Sequence, residues 1–304
     1  MERKITKQVK IGDVLIGGGA PISVQSMLNK PAEDIEGSVK QALELQKAGC
    51  NIIRAAVPNK EAVKLIEALK ENLNVPVVAD IHFDYRLALE CAAAGVDKIR
   101  INPGNIGSDD RVKAVADACR QKNIPIRIGV NSGSVEKEIL AFLGSPVPEA
   151  LVESALYHAS LLEKFDFDDI VISIKSSNVE NTVKAYSLAS EKCNYPLHVG
   201  VTEAGTSRMG IVKSSIGIGS LLLKGIGDTI RVSLTDSPVK EVAAGYDILK
   251  AVGLKKDAVQ IVSCPTCGRT KIDLISLANE VESALASCTK PIKVAVMGCV
   301  VNGP

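Results

Sequence analysis

The 304 residues carry 36 Lys and Arg against 35 Asp and Glu, with 46% hydrophobic residues, 3% aromatics, no Trp and eight Cys. That balance excludes a protein gripping nucleic acid through a basic field or by base stacking, and no apolar run reaches the ~18 residues of a membrane span. The amino terminus, MERKITKQVK, has charge without an apolar core behind it, so the expectation is a soluble cytoplasmic chain, long enough for one large α/β domain and a small appendage.

From residue 23 onward, short β-branched runs alternate with amphipathic helical stretches. The expected strands are SVQSM (23–27), IIRAAV (52–57), VPVVAD (75–80), KIRIN (98–102), IRIGVN (126–131), DIVISIK (169–175), LHVGVTE (197–203) and TIRVSL (229–234). Between them, stretches such as EDIEGSVKQALELQKAG and NKEAVKLIEALKENL repeat apolar residues at three- and four-residue spacing. Gly49, Gly95, Gly225 and Gly253 stand where helix ends call for a left-handed residue. Eight such units match a (β/α)8 TIM barrel in number and size. An open doubly wound sheet permits the same alternation, but GGGAP has neither the spacing nor the following helix of a dinucleotide-binding loop. Cys50, Cys91, Cys119 and Cys193 fall within or at the ends of helical patterns and read as small buried hydrophobes.

Successive strand residues face opposite sides, and one side repeatedly carries charge. Arg54 opposes Ile53 and Ala55; Arg100 and Asn102 oppose Ile99 and Ile101; Arg127, Gly129 and Asn131 oppose Ile126, Ile128 and Val130. Ser173 and Lys175 oppose Ile172 and Ile174, and Arg231 and Ser233 oppose Ile230 and Val232. In a barrel the apolar face meets the helices and the other points into the lumen. Buried charge is costly unless paired or bound to something. Five cations (Arg54, Arg100, Arg127, Lys175, Arg231) meet only two strand-end acids, Asp80 and Glu203. Structural ion pairing leaves that sum unbalanced, whereas an anion site holding more than one phosphate accounts for it. Active sites of this fold lie at the carboxyl ends of the strands, where most of these residues fall.

His82, after the third strand in ADIHFDYR, suits a ligand, a proton donor or a loop hydrogen-bonder. His158 and His198 read as structural, and NPGN (102–105) as an anion-compatible turn. Glu203, in VTEAGTS, is a general acid or base if burial raises its pKa, or else a salt-bridge partner of a lumen Arg.

After Gly253 the pattern changes to strand, Cys-rich turn, helix, strand, Cys-rich turn. Cys264 and Cys267 form C-x2-C, and Cys299 stands at the corresponding end of the next strand, so three thiolates meet at one edge of a small α/β unit. Zinc would want a second C-x2-C or a His pair, and Cys288 sits at a helix end instead. An iron–sulfur cluster tolerates a fourth ligand that is not Cys. Spacing alone leaves zinc, iron–sulfur and incidental thiols open.

In this order, NIIRAAVPN, VVADIHFDYRLALECAAAGVDKIRINPGN, SIKSSN, VTEAG, DTIRVSLT, SCPTCGRT and MGCVVNGP closely resemble the bacterial 4-hydroxy-3-methylbut-2-enyl diphosphate synthases of the methylerythritol phosphate route. The resemblance runs through essentially the whole chain. It implies a TIM barrel over 1–254 and, over 255–304, a small α/β domain holding a [4Fe–4S] cluster on Cys264, Cys267, Cys299 and a Glu. That Glu would follow Pro304, the last residue of the sequence. The resemblance further implies reductive ring opening and dehydration of methylerythritol cyclodiphosphate, with electrons from ferredoxin or flavodoxin. Arg54, Arg100, Arg127, Lys175, Arg231 and Ser233 would hold the diphosphate, with Asn131 and Thr202 nearby and Glu203 as acid/base. A homodimer is implied as well, the cluster domain of one subunit capping the barrel of the other.

Overall fold

Eight parallel strands close on themselves in the first of two units into which the chain divides, Met1–Ile248 and Leu249–Pro304. The computed structural model describes residues 2–131, 133, 135–136, 138–139, 141, 144–145, 147–286 and 288–302. A hairpin of β1 (Val9–Ile11) and β2 (Val14–Ile16) precedes the barrel strands β3 (Ser23–Met27), β4 (Ile52–Ala56), β5 (Val77–Asp80), β6 (Lys98–Ile101), β7 (Ile126–Asn131), β8 (Ile170–Lys175), β9 (His198–Val199) and β10 (Thr229–Ile230). They lie in the order β8-β7-β6-β5-β4-β3-β10-β9. The ring closes at a parallel bridge between Ile172 and Leu197, where Ile172 N donates to Pro196 O at 3.0 Å.

The connecting helices are α1 (Ile35–Lys47), α2 (Val63–Asn72), α3 (Tyr85–Ala93), the single turn α4 (Pro103–Ile106), α5 (Asp109–Lys122), α6 (Pro148–Glu163), α7 (Val179–Lys192), α8 (Ser207–Leu223) and α9 (Pro238–Ala251). Their starts follow side-chain chemistry: Asp34, Asp84 and Asn178 accept hydrogen bonds from the first-turn backbone of α1, α3 and α7. The four glycines expected at helix ends all adopt positive φ, from 74° to 90°. Helices on the outside and side chains inside bury both faces of the strands, so all six residues of β8 are buried. No described helix is long and apolar enough to cross a membrane.

Two expected strands are shorter than their sequence patterns. LHVGVTE pairs only at His198–Val199, and TIRVSL only at Thr229–Ile230. Gly200 is the reason: a Cβ there would lie 2.5 Å from the Arg231 carbonyl oxygen, so the two backbones draw together and leave the regular ladder. Thr202, Glu203 and Ser233 therefore sit on irregular chain just beyond their strands. At the opposite end, Val9, Ile11 and Ile16 of the hairpin pack against Ile52, Val78 and Val171, at the amino-terminal ends of β4, β5 and β8. The hairpin plugs that end.

The second unit contains β11 (Gln260–Ser263), α10 (Leu274–Leu285) and β12 (Lys293–Val296). The strands pair in parallel from Gln260↔Lys293 to Ser263↔Val296, which makes a βαβ unit. Asp273 caps α10 by accepting from Ser276 N at 3.2 Å.

Candidate active site

Register fixes which side chains share the lumen, because paired residues of a parallel ladder point the same way. Arg54 pairs with Val78 and Val78 with Lys98; Asp80 pairs with Arg100, and Arg100 with Arg127. Gly129 pairs with Ser173, and Asn131 with Lys175. Arg54, Arg100, Arg127 and Lys175 thus face the interior together, as their alternation predicted.

Asp80 is the carboxylate around which they gather. Its Oδ2 accepts from Arg54 Nη2 at 2.6 Å, its Oδ1 from Arg100 Nη1 at 3.2 Å, and His82 Nε2 lies 3.4 Å away. Burial alone would raise its pKa, but Arg54, His82 and Arg100 outweigh burial and hold the carboxyl far below its ordinary range. Asp80 therefore stays ionised. Arg231 has a second acid that the strands do not reveal: Glu241 of α9, whose Oε2 lies 3.8 Å from Arg231 Nε and accepts from Ser26 Oγ at 2.9 Å.

The balance remains positive. Arg127 is 1% exposed, and its Nε and Nη1 have no hydrogen-bond partner among the described residues. Burial, then Arg54 and Arg100, drive its pKa well below the usual value. Burial and the neighbouring Arg231, Arg127, Arg54 and Arg100 do the same to Lys175. Lys98, also in the lumen, brings the basic side chains there to six. An arrangement of cations that destabilise one another is built to receive an anion.

Arg100 reaches its position over a glycine. Its Nη2 donates to Gly129 O at 3.0 Å, and a Cβ on Gly129 would stand 2.5 Å from Arg100 Nε and 3.0 Å from Cζ. Gly129→Ala should push the guanidinium aside and weaken binding of inorganic pyrophosphate by roughly 10- to 100-fold, the worth of one charge-assisted hydrogen bond. Titration calorimetry checks this, and unchanged affinity would mean that the anion does not need Arg100 where it lies.

At the rim, Glu203 is exposed in the left-handed region, with φ 51°, so the burial on which its acid/base reading depends is not there. The salt bridge to a lumen Arg does not form: among the described residues no ion pair engages Glu203. Thr202 and Ser233 are half-buried, and Asn131 is exposed at the end of β7. His158 is fully buried and its Nδ1 accepts from Gly104 N at 3.1 Å, so it anchors the NPGN turn. Cys50, Cys91 and Cys119 are buried as expected, their thiols pushed up to about 11, 12 and 12; Cys193 is only half-buried.

The second unit gathers its cysteines as well. Cys264, Cys267 and Cys299 line one concavity of about 100 Å³ with Arg269, Thr270 and Asn302; Cys288 is not in that lining. Cys264 N donates to Val296 O at 3.0 Å and Lys271 N to Gly298 O at 3.0 Å, so the two Cys-bearing turns are tied together at the strand ends. The backbone N–H groups of Val301 and Asn302, with a smaller contribution from Arg269, lower the Cys299 pKa. Asn302 Nδ2 lies 3.3 Å from Cys264 Sγ. Among the described residues, no three His, Cys, Asp or Glu side chains converge closely enough for a single metal ion.

Comparison with known proteins agrees with both units. Residues 6–246 match the family model of the GcpE TIM-barrel domain, and residues 260–304 that of the GcpE protein C-terminal domain. A 4-hydroxy-3-methylbut-2-en-1-yl diphosphate synthase (flavodoxin) of Clostridium perfringens is 60% identical over 304 residues, covering 100% of this chain and 87% of that protein. One from Caldanaerobacter subterraneus is 59% identical, covering 99% and 85%. Among solved structures, the dihydropteroate synthase of Yersinia pestis superposes with a TM-score of 0.57 at 16% identity, over 81% of this chain and 98% of that one. That of Stenotrophomonas maltophilia gives 0.58 at 16%, over 81% and 97%. At such identity these two show the barrel fold alone.

Proposed function

The chain belongs to the GcpE family, and on that premise we propose that it catalyses the reductive ring opening and dehydration of 2-C-methyl-D-erythritol 2,4-cyclodiphosphate to 4-hydroxy-3-methylbut-2-enyl diphosphate. The observation that carries the reading is a lumen lined by Arg54, Arg100, Arg127, Lys175 and Arg231, with Arg54 and Arg100 on Asp80, in the same chain as three thiols around one concavity. Residues 1–254 would bind substrate and 255–304 would belong to the cluster domain. The chain would act as a cytoplasmic homodimer with flavodoxin as electron donor, the partner named for its relatives, or ferredoxin in its place.

The thiols fit a [4Fe–4S] cluster better than one zinc. A single zinc draws four ligands, and the concavity is lined by three thiols, with Cys288 outside it. A cluster takes each thiolate at a separate corner and accepts a fourth ligand that is not Cys. Cys264, Cys267 and Cys299 would hold it, and bound there it would supply the two electrons of the reaction singly. A non-redox barrel enzyme of the pterin-synthase kind with a zinc knuckle has less support, since the relatives of this chain are named as flavodoxin-dependent synthases.

The chain's own residues do the rest. Arg54, Arg100, Arg127, Lys175 and Arg231 would clamp the diphosphate, with Ser233, Asn131 and Thr202 hydrogen-bonding at the rim. Asp80 keeps Arg54 and Arg100 aimed inward and, being ionised, does not compete as a proton donor. Two electrons enter, the ring C–O bond to the diphosphate breaks, and a hydroxyl leaves as water. Glu203, exposed and with no ion pair among the described residues, on strained backbone, would give the proton that makes this hydroxyl a leaving group.

Anaerobically purified protein should contain iron and acid-labile sulfide near four each per chain and turn over the cyclic diphosphate with reduced flavodoxin. Glu203→Gln should lower kcat by roughly 10²- to 10⁴-fold with little change in KM. About one zinc per chain without sulfide, and turnover in air without a reductant, would replace this reading with the zinc-knuckle enzyme.

A further inference from the structure

Beneath the proposed diphosphate site the lumen holds polar atoms that this reading leaves unused. Lys98, His198, Gln25 and Thr229 are at most 1% exposed. The Nζ of Lys98, both ring nitrogens of His198, both amide atoms of Gln25 and Oγ1 of Thr229 have no hydrogen-bond partner among the described residues. Register places all four on the lumen face: Lys98 beside Val78, Thr229 beside both His198 and Ser23, and Gln25 beside Ile52.

Apart from Asp80, what surrounds Lys98 is cationic or neutral. The charged groups facing the lumen are Arg54 from β4, Asp80 from β5, Arg100 from β6, Arg127 from β7, Lys175 from β8 and Arg231 beyond β10 with Glu241 of α9 behind it, while β3 and β9 add Gln25 and His198. The hairpin contributes Val9, Ile11 and Ile16. Asp80 already receives Arg54 and Arg100. Among the described residues an ammonium group at Lys98 would have no counter-ion and no acceptor, which a buried charge does not tolerate.

We propose that Lys98 is a neutral amine in the free protein and takes up a proton when a diphosphate enters the lumen. Burial, then Arg127 and Arg54, push Lys98 well below its ordinary range. His198 is pushed down by burial and by Arg127, Lys175, Lys98 and Arg54. An arriving polyanion cancels the cationic field and supplies a counter-charge, while burial still weighs against both bases. The amine, ordinarily much the stronger base, then takes the proton ahead of the imidazole. The proton comes from the buffer and ends on Lys98 Nζ, and no bond of the anion is broken. Lys98 thus adds positive charge only when there is an anion to meet it. The inference rests on the lumen being the diphosphate site.

Two measurements separate the claims. Titration calorimetry of inorganic pyrophosphate at pH 7.5, in buffers of different ionisation enthalpy, counts the protons taken up on binding. Lys175 contributes to the wild-type count, so the difference between proteins isolates Lys98: Lys98→Met should lower uptake by about one proton and weaken binding roughly tenfold, and equal counts would overturn the proposal. Urea unfolding from pH 7 to 9 needs no ligand. The unfolded chain binds a proton at Lys98 that the folded chain does not, so wild-type stability rises with pH, its unfolding constant falling up to about tenfold per pH unit more steeply than that of Lys98→Met. Parallel curves would overturn the proposal. Should pyrophosphate bind neither protein, the diphosphate reading fails and the unfolding curves alone decide Lys98.

Discussion

Arg127→Met is expected to raise the melting temperature by several degrees while lowering kcat/KM by roughly 10²- to 10³-fold. In the free protein Arg127 is buried, two of its nitrogens lack partners among the described residues, and Arg54 and Arg100 are the charges that act on it most. Methionine of similar length removes an uncompensated cation and keeps the lumen filled. Replacing buried charge by an apolar side chain of matching volume commonly stabilises by ~1–4 kcal/mol, and ~1 kcal/mol is worth ~2–4 °C in a domain of this size. The same substitution withdraws a desolvated, charge-assisted contact from the diphosphate. Thermal melts and steady-state kinetics on one preparation test both halves. A variant that loses stability along with activity would make Arg127 a structural residue.

Cys299→Ser should abolish iron retention and reduce turnover by at least ~10³-fold, with the barrel unaffected. Backbone N–H groups of Val301 and Asn302 stabilise the thiolate of Cys299, and thiolate is the form that binds iron. A serine hydroxyl at the same place remains protonated at neutral pH and cannot substitute. Cys288→Ser is the control: Cys288 lies outside the lining of the concavity, so that variant should keep its iron and its rate. Iron and sulfide analysis with visible absorption reads both variants. A Cys299→Ser protein with full iron would remove Cys299 from the ligand set.

The barrel was legible because strands buried on both faces leave charge conspicuous. Arg100 in KIRIN and Arg127 in IRIGVN stand out against isoleucines, and their alternation placed them on one face that the ladder reproduces. The same alternation contains Lys98, two positions before Arg100, yet at a strand's first residue it passes for the surface end of a loop. His198 opens a strand too and was read as structural; its register with Thr229 turns it into the lumen. Glu241 was out of reach for another reason. It comes from a helix, and no strand periodicity reports that a helical acid approaches Arg231. The shortness of β9 and β10 depends on the contact of Gly200 with the Arg231 carbonyl, a packing fact rather than a propensity. Gly303 and Pro304, at the end of the Cys-rich segment, lie outside the described residues.

The hairpin plug has a consequence for how the molecule assembles. Val9, Ile11 and Ile16 are synthesised long before Val171, which forms part of their seat. Until β8 has been made, these three apolar side chains lack a complete partner surface, and the ring itself cannot close before Leu197 reaches Ile172. Contacts that join such distant parts of a chain come at high loop-closure cost and form late. The hairpin thus leaves the ribosome well before it can settle. A nascent chain that has not yet reached Leu197 carries an exposed, strand-forming hairpin, the kind of surface that chaperones exist to shield.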